Sequence, residues 1–300
     1  MASVAYCPWP TTVEDVPIPE ELAAGVVLAG GRSSRMGTPK SALEWHGSTL
    51  LHRTTALLAR TVDGPIVVVA APGQDLPALP AGVEVVADPV EGRGPLQGIA
   101  VGLTAVANRV PLAFVCSTDM PFLHPAFVRH VLRALVPGTD VALPLARGFR
   151  QPLAAGYRTS LAELATGLVT DGKLKPGLLF ERCEVDRIDD ARLLADPDLA
   201  RFDPDLDSVV NVNEPADYEA ARCREPAAVV VECFGALAGD GRRGPRQVHT
   251  ATLAAAADAV GIKLGRHVVA ALNGDQITRD PLLPLVAGDT VAFLSADAGG

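Results

Sequence analysis

Over most of the chain, continuous apolar runs alternate with stretches in which apolar residues recur every three or four positions. Gly25–Ala29, Pro65–Ala70 and Leu112–Cys116 are runs of the first kind, the pattern of strands buried on both faces, and Val83–Ala87 reads as a further strand. Ser48–Arg60, Leu96–Ala107 and His124–Leu135 carry helical spacing, with Ser48 a candidate N-cap and Pro125 suited to the first helical position. Such an alternation predicts a parallel sheet covered on both sides, a doubly wound α/β architecture. Ligands of these sheets lie at the carboxyl ends of strands, so the residues following each strand are the ones to read for chemistry. Asp189–Asp207 is rich in Asp and Pro and predicts a surface loop or lid. Ser208–Val212 predicts one more short strand and Glu214–Arg222 a closing helix.

Beyond Glu225–Pro226 the rhythm changes. Ala227–Phe234, Arg246–His249, His267–Leu272, Gln276–Thr278 and Thr290–Leu294 read as strands, and Thr252–Val260 as a helix ended by Gly261. Asn273–Gly274 is a tight-turn signal, and Gly239–Gly244 and Ala287–Asp289 are further turns. These elements predict a compact α+β module. The expected organisation is a Pro-rich leader over residues 1–22, an α/β domain over 23–224 and a smaller domain over 226–300.

Composition narrows the function classes. The 300 residues carry a net charge of −9, with 48% hydrophobic and 20% charged positions, enough apolar residues for a core and too many for a disordered chain. The acidic balance argues against a nucleic-acid or anionic-membrane binder, either of which needs a basic face. No apolar run approaches the about 18–20 residues that span a bilayer. The first residues mix acidic groups with prolines, unlike a signal peptide. Five cysteines, widely spaced and without a Cys-x-x-Cys pair, read as reduced thiols of a cytoplasmic protein. Cys116 and the six histidines offer no nucleophile–base pair at a recognisable spacing, so a Ser or Cys triad has no support.

Four constellations follow strands. Leu28-Ala-Gly-Gly-Arg-Ser-Ser-Arg-Met-Gly37, with Lys40 close behind, ends a strand in Gly30–Gly31, where backbone N–H groups can approach phosphate oxygens. Arg32, Arg35 and Lys40 concentrate charge on the same spot. The spacing is neither that of a Walker A loop nor that of a dinucleotide fingerprint. Thr118-Asp119-Met120-Pro121 sets a carboxylate at a strand end, either a ligand for Mg²⁺ or a cap of the turn before Pro121. Asp88-Pro-Val-Glu-Gly-Arg-Gly-Pro-Leu-Gln-Gly98 is a glycine-rich connection that could line a base pocket or be an ordinary loop. In Asn211-Val-Asn213-Glu-Pro215 the amides could complete a metal shell or hold a ribose, or Asn213 could be a helix N-cap.

Taken in order, Leu28-Ala-Gly-Gly31, Arg35-Met-Gly37, Lys40, Gly94-Pro-Leu-Gln-Gly98, Thr118-Asp-Met-Pro121 and Asn211-Val-Asn-Glu-Pro215 resemble the molybdenum cofactor guanylyltransferases, MobA-like nucleotidyltransferases, over about Ala24 to Arg222. The resemblance implies a Rossmann-like fold and transfer of GMP from GTP to the phosphate of molybdopterin-bound molybdenum, with release of pyrophosphate. It implies that Leu28, Ala29, Gly30 and Gly31 cradle the triphosphate and that Arg35 and Lys40 neutralise it. Asp88 with Gly94, Pro95, Leu96 and Gly98 would hold the nucleotide, and Asp119 would bind Mg²⁺ with Asn211 and Asn213. Arg150-Gln-Pro152 is expected near the acceptor. Ser117 and Thr118 depart from the residues common in the family, and Val69–Pro72 lacks an Asn that some members carry there. Transfer of CMP or another nucleotide to a different phosphorylated acceptor is a second reading. A carrier or scaffold with an inactive nucleotide-binding half is a third, against which Arg35, Lys40 and Asp119 together argue.

The tail, through Phe234-Gly-Ala-Leu-Ala238, Ala271-Leu-Asn-Gly274, Gly288-Asp-Thr-Val291 and Gly299–Gly300, resembles the ubiquitin-like β-grasp sulfur carriers, in particular the small subunit of molybdopterin synthase. That resemblance implies a Gly-Gly carboxylate converted to a thiocarboxylate, with an adenylating activating enzyme and the large subunit of the synthase as partners. Ala296-Asp-Ala298 departs from the usual Pro-Pro-Val approach to the tail.

Overall fold

The computed structural model describes residues 22–30, 39–90, 92–239 and 244–296. Strand β1 (Ala23–Leu28) lies in the interior of the larger sheet. A single 3₁₀ turn at Lys40–Ala42 leads into a small hairpin, β2 (Glu44–Trp45) and β3 (Ser48–Thr49). Helix α1 (Leu50–Ala59) follows, with Thr49 rather than Ser48 as its N-cap, the Thr49 hydroxyl accepting from the His52 N–H at 3.2 Å. Ser48 is displaced from that role because it pairs with Trp45 across a turn whose His46 and Gly47 both have positive φ.

Next come β4 (Ile66–Ala70), β5 (Glu84–Ala87), α2 (Pro95–Val106), β6 (Leu112–Ser117) and α3 (Pro125–Arg133). The pair β7 (Val141–Ala146) and β8 (Phe149–Arg150) precedes β9 (Ala154–Arg158), α4 (Ala162–Thr170), α5 (Pro176–Phe180) and β10 (Val185–Asp189). The sheet order is β10-β7-β9-β6-β1-β4-β5. It is mixed rather than wholly parallel, since β9 runs antiparallel between β6 and β7. Gly156 lets α3 and the residues after it approach this strand, for a Cβ there would lie 3.4 Å from Val131 Cγ1 and 3.0 Å from Leu135 Cδ1. Two apolar layers cover the sheet, one from α1 and α3 and one from α2 and α4, as double winding requires.

The expected lid is helical. Helices α6 (Asp190–Leu193) and α7 (Pro197–Phe202) are capped by Asp189 and Asp196, whose carboxylates accept from the N–H groups of Arg192 and Leu199, and Leu193 and Leu199 are fully buried. The Asp and Pro residues of this stretch are therefore helix-start chemistry. Ser208–Val212 is not a strand: Asp207–Val209 is a 3₁₀ turn, and the chain then runs unpaired with sheet neighbours. Buried Ser208 accepts from His124 N, which pins the segment to the start of α3. Helix α8 (Pro215–Arg222) closes this unit, capped by Glu214 in a reciprocal box with Asp217 rather than by Asn213.

The C-terminal unit has a five-stranded sheet and one helix. Its elements are β11 (Ala228–Cys233), β12 (Arg246–His249), α9 (Leu253–Ala259), β13 (Val268–Leu272), β14 (Gln276–Thr278) and β15 (Thr290–Ser295). The sheet order is β12-β11-β15-β13-β14, with β11 and β15 parallel at the centre and the other neighbours antiparallel. Alternate residues Val229, Val231, Val291 and Phe293 face Leu253, Ala256 and Ala257 of α9. The units meet where α1 and α3 face the loop before β15. Arg60 pairs with Asp289, His124 Nε2 contacts the Ala287 carbonyl at 3.0 Å, and a Cβ on Gly288 (φ +82°) would lie 2.5 Å from the Phe202 ring. Among the described residues no helix is long and apolar enough to cross a membrane.

Candidate active site

The carboxyl ends of β1, β4 and β6 open into a cleft of about 600 Å³. Ala29 and Gly30 continue β1, both donating to the Val69 carbonyl, at 2.9 and 3.2 Å. At Gly30 a Cβ would come 3.3 Å from Ala71 N, so glycine permits the close crossing beside β4. Gln74, which no sequence motif marks, holds this corner: it accepts from Ala71 N and donates to the Ala29 carbonyl. Thr118 ties β6 to β1, its N–H and hydroxyl both donating to the Leu28 carbonyl, at 3.3 and 3.1 Å. Gly31, Arg32 and Arg35 lie outside the described residues.

Facing this backbone, the Lys40 ammonium donates to Asp119 Oδ2 at 2.6 Å and to Asn213 Oδ1 at 2.8 Å. Ser117 Oγ donates to Asp119 Oδ1 and lies 3.4 Å from Asn211 Oδ1. Three distant parts of the sequence thus converge on one point. What brings them together is a separate apolar cluster of Leu43, Trp45, Leu50, Val212, Tyr218 and Ala221, which packs α8 against the β2–β3 hairpin. Tyr218 reinforces it by donating to the Glu44 carbonyl at 2.5 Å, and Val212 N donates to the Asp119 carbonyl at 2.9 Å. Asn211 and Asn213 are therefore held with their amide oxygens towards Ser117 and Lys40 in the cleft.

The opposite wall is the Asp88–Gly98 connection. Asp88, Gly94, Pro95 and Gly98 all line the cleft. Gly94 takes φ +93°, and a Cβ on Gly98 would lie 2.9 Å from Leu28 Cδ1, so Gly98 is also where α2 crosses β1. Leu96 differs from expectation. Its side chain is fully buried in the core under α2 and does not line the cleft, because position 96 faces the sheet. Gln151 and Pro152 reach the cleft, whereas Arg150 is exposed on β8 outside it.

The charge pattern fits phosphate chemistry without a protein nucleophile. Burial, reinforced by Asp119, pushes the Cys116 thiol far above its ordinary range, so it stays protonated at neutral pH. Among the described residues there is no group of three or more His, Cys, Asp and Glu side chains able to hold a metal ion. In the cleft the Asp119 carboxylate and the Asn213 amide oxygen are both engaged by the Lys40 ammonium.

A doubly wound sheet, a glycine at the end of β1 beside β4 and a Lys–Asp–Asn cluster at the neighbouring strand end are the features of a nucleotidyltransferase. The chain belongs to the family of the MobA-like NTP transferase domain, whose pattern matches residues 25–182. A Mycobacterium tuberculosis protein named a probable molybdenum cofactor guanylyltransferase is 42% identical over 169 residues, covering 55% of this chain and 82% of that one. A Mycobacterium avium protein of the same name is 37% identical over 201 residues, 66% of this chain and 93% of its own. The crystal structure of molybdopterin-guanine dinucleotide biosynthesis protein A from Archaeoglobus fulgidus superimposes with a TM-score of 0.52 at 23% identity, over 66% of this chain and 96% of that one. That likeness is one of fold.

Proposed function

We propose that this enzyme transfers GMP from GTP to the terminal phosphate of molybdopterin or its molybdenum complex. The observation that carries the reading is the convergence of Lys40, Asp119 and Asn213 in a cleft walled by Gly30 and Asp88. The names of the mycobacterial relatives support the guanylyl donor and the pterin acceptor. An oxygen of the acceptor phosphate forms a bond to the α-phosphorus as the bond to the bridging oxygen of the β-phosphate breaks, and pyrophosphate leaves. The acceptor is already anionic, so no general base is needed. Catalysis is then in-line positioning and charge neutralisation.

Mg²⁺ fits the donor set. Asp119 with the amide oxygens of Asn213 and Asn211 and the Ser117 hydroxyl are all hard oxygen donors around one carboxylate, the kind of partial shell Mg²⁺ completes with water and phosphate oxygens. Bound there, the ion would supply charge neutralisation on the nucleotide phosphates. Lys40 would neutralise the triphosphate, Asp88 would hold the base, and Leu28, Ala29 and Gly30 would present backbone to the phosphates. Arg35 and Gly31 are assigned to the same task from their place in the motif.

The division at residues 225–226, and a sulfur-carrier role for the tail module, belong to the same proposal. The module's sheet order, its two central parallel strands and its single packed helix support a β-grasp reading, as does the Gly299–Gly300 motif. Thiocarboxylate formation on that tail would need an adenylating activating enzyme, with the large subunit of molybdopterin synthase as recipient. Cysteine usage supports a cytoplasmic setting.

Thermal unfolding with GTP, CTP, ATP and UTP in the presence of Mg²⁺ tests the donor. A nucleotide at 100 times its Kd adds about 2.7 kcal/mol. A GTP-selective rise in Tm, lost in Lys40→Ala, is expected. A CTP-selective rise would favour a cytidylyltransferase, and no rise with any nucleotide would overturn the enzymatic assignment of the cleft.

A further inference from the structure

Gln97 is 2% exposed, the third residue of α2, a helix whose Leu96, Ile99 and Leu103 are fully buried. Its amide nitrogen donates to Asp88 Oδ1 and to the Val90 carbonyl, the latter at 2.9 Å. Both neighbours are acceptors only, so the amide has one permissible orientation; turned over, it would set its own oxygen against a carboxylate and a carbonyl. In that orientation Gln97 Oε1 is buried without a hydrogen-bond partner among the described residues. A side chain retained only for packing would be better as leucine, since a buried unpaired carbonyl oxygen opposes folding. What the amide accomplishes lies at its other end. Asp88 Oδ1 accepts from both Gln97 and the Val90 N–H, at 3.0 Å for the latter, while no described residue bonds Oδ2 of this cleft-lining carboxylate.

We propose that Gln97 is a positioning residue for nucleobase selection: by occupying Oδ1 it fixes Asp88 so that Oδ2 is presented to the base as an acceptor. This rests on the nucleotide reading above. A carboxylate oxygen with both lone pairs open suits an edge with adjacent N–H donors, which guanine has in N1–H and its 2-amino group. Inosine keeps the first donor and lacks the second. Cytosine sets an acceptor nitrogen beside its amino group and is repelled.

The test measures Kd for GTP, ITP and CTP with Mg²⁺ on the full chain, together with the Tm of the nucleotide-free protein, for wild type, Gln97→Leu, Gln97→Met and Asp88→Asn. Either Gln97 variant is expected to keep or raise Tm, to weaken GTP about tenfold, and to bring the GTP-to-ITP preference towards one. Gln97→Leu combined with Asp88→Asn should be no worse than Asp88→Asn alone, since the two act as one unit. Unchanged GTP affinity and preference in a folded Gln97→Met protein, or a fall in Tm with preference intact, would overturn the positioning role alone. A wild-type protein without preference for GTP over CTP would overturn it together with the guanylyl reading.

Discussion

Arg60 and Asp289 form a two-point ion pair across the junction of the two sheets, Nη1 to Oδ2 at 2.9 Å and Nη2 to Oδ1 at 3.0 Å, with side chains only 3% and 4% exposed. Asp289 also accepts from Val286 N and Asn273 Nδ2, so one carboxylate organises the whole turn before β15. Arg53 lies buried nearby, held by the carbonyls of Pro121 and Ala251, and burial with the Arg60 charge lowers its pKa to about 10. Asp289→Ala would leave two buried guanidinium groups with no carboxylate between them. The expected loss is about 3–5 kcal/mol by denaturant titration, partly recovered in Arg60→Met combined with Asp289→Asn, which removes both charges and keeps an acceptor for Val286 N. A loss below about 1 kcal/mol, the range of exposed pairs, would mean that the junction opens freely in solution.

His124 makes the same junction sensitive to acid. Its Nδ1 accepts from Ala126 N, capping α3, which leaves Nε2–H to donate to the Ala287 carbonyl. Burial lowers its pKa below the ordinary 6.5. The unfolded chain therefore takes up a proton at about 6.5 that the folded chain refuses until lower pH, so stability falls as pH drops below 6.5. Half-buried His46 has the same sign. Unfolding free energies measured between pH 7.5 and 5 should decline less steeply in His124→Asn, which keeps a capping oxygen; an identical slope would remove His124 from the account.

Asp119 and Lys40 should separate by what each loses. Asp119→Asn keeps a hydrogen-bonding oxygen beside Lys40 but removes the only carboxylate of the oxygen cluster. Transfer is expected to fall about 10²–10³-fold in single-turnover assays, with the Mg²⁺ concentration dependence shifted upwards. Lys40→Ala should instead weaken nucleotide binding while the response to Mg²⁺ persists. Asp119→Asn with an unchanged Mg²⁺ titration would exclude that carboxylate as a ligand.

Glycines in α2 and α4 give opposite signs. A Cβ at Gly102 would fall 2.3 Å from Val26 Cγ1, so Gly102→Ala should cost about 1–3 kcal/mol through overpacking. Gly167, within α4, has nothing within 4 Å of a built Cβ, and Gly167→Ala should stabilise by about 0.4–1 kcal/mol. The two Tm shifts, measured side by side, check the closeness of the contact between α2 and β1.

What could be read from the sequence divides along physical lines. Continuous apolar runs such as Ile66–Ala70 and Leu112–Ser117 announce buried strands, and residues at their ends can be named because ligands of such sheets lie there. Ala154–Arg158 gives no such signal: a short strand with a central glycine carries little β-propensity, and its place between β6 and β7 depends on neighbours far off in sequence. The Asp and Pro residues of Asp189–Asp207 read as a surface loop or lid, whereas Asp189 and Asp196 cap helices that bury Leu193 and Leu199. Asn213 reads locally as a cap, and only the Leu43–Trp45–Tyr218 packing turns its side chain to Lys40. Gln74, Ser117, Thr118 and Gln97 act through backbone groups or through another side chain, so no motif spacing marks their roles.

The segment carrying Asn211 and Asn213 has a temporal consequence. Lys40 and Asn213 are 173 positions apart, and Ser117 precedes Asn211 by 94. At about 5–20 residues per second, a ribosome would take about 5–20 s to add the latter stretch. During that interval a growing chain could pair β1, β4 and β6 and bury much of the sheet while Asp119 still lacked its amide neighbours. Acquisition of the fold and acquisition of a complete donor cluster are thus separate events in the life of each molecule, and the second waits on residues that add no strand to the sheet.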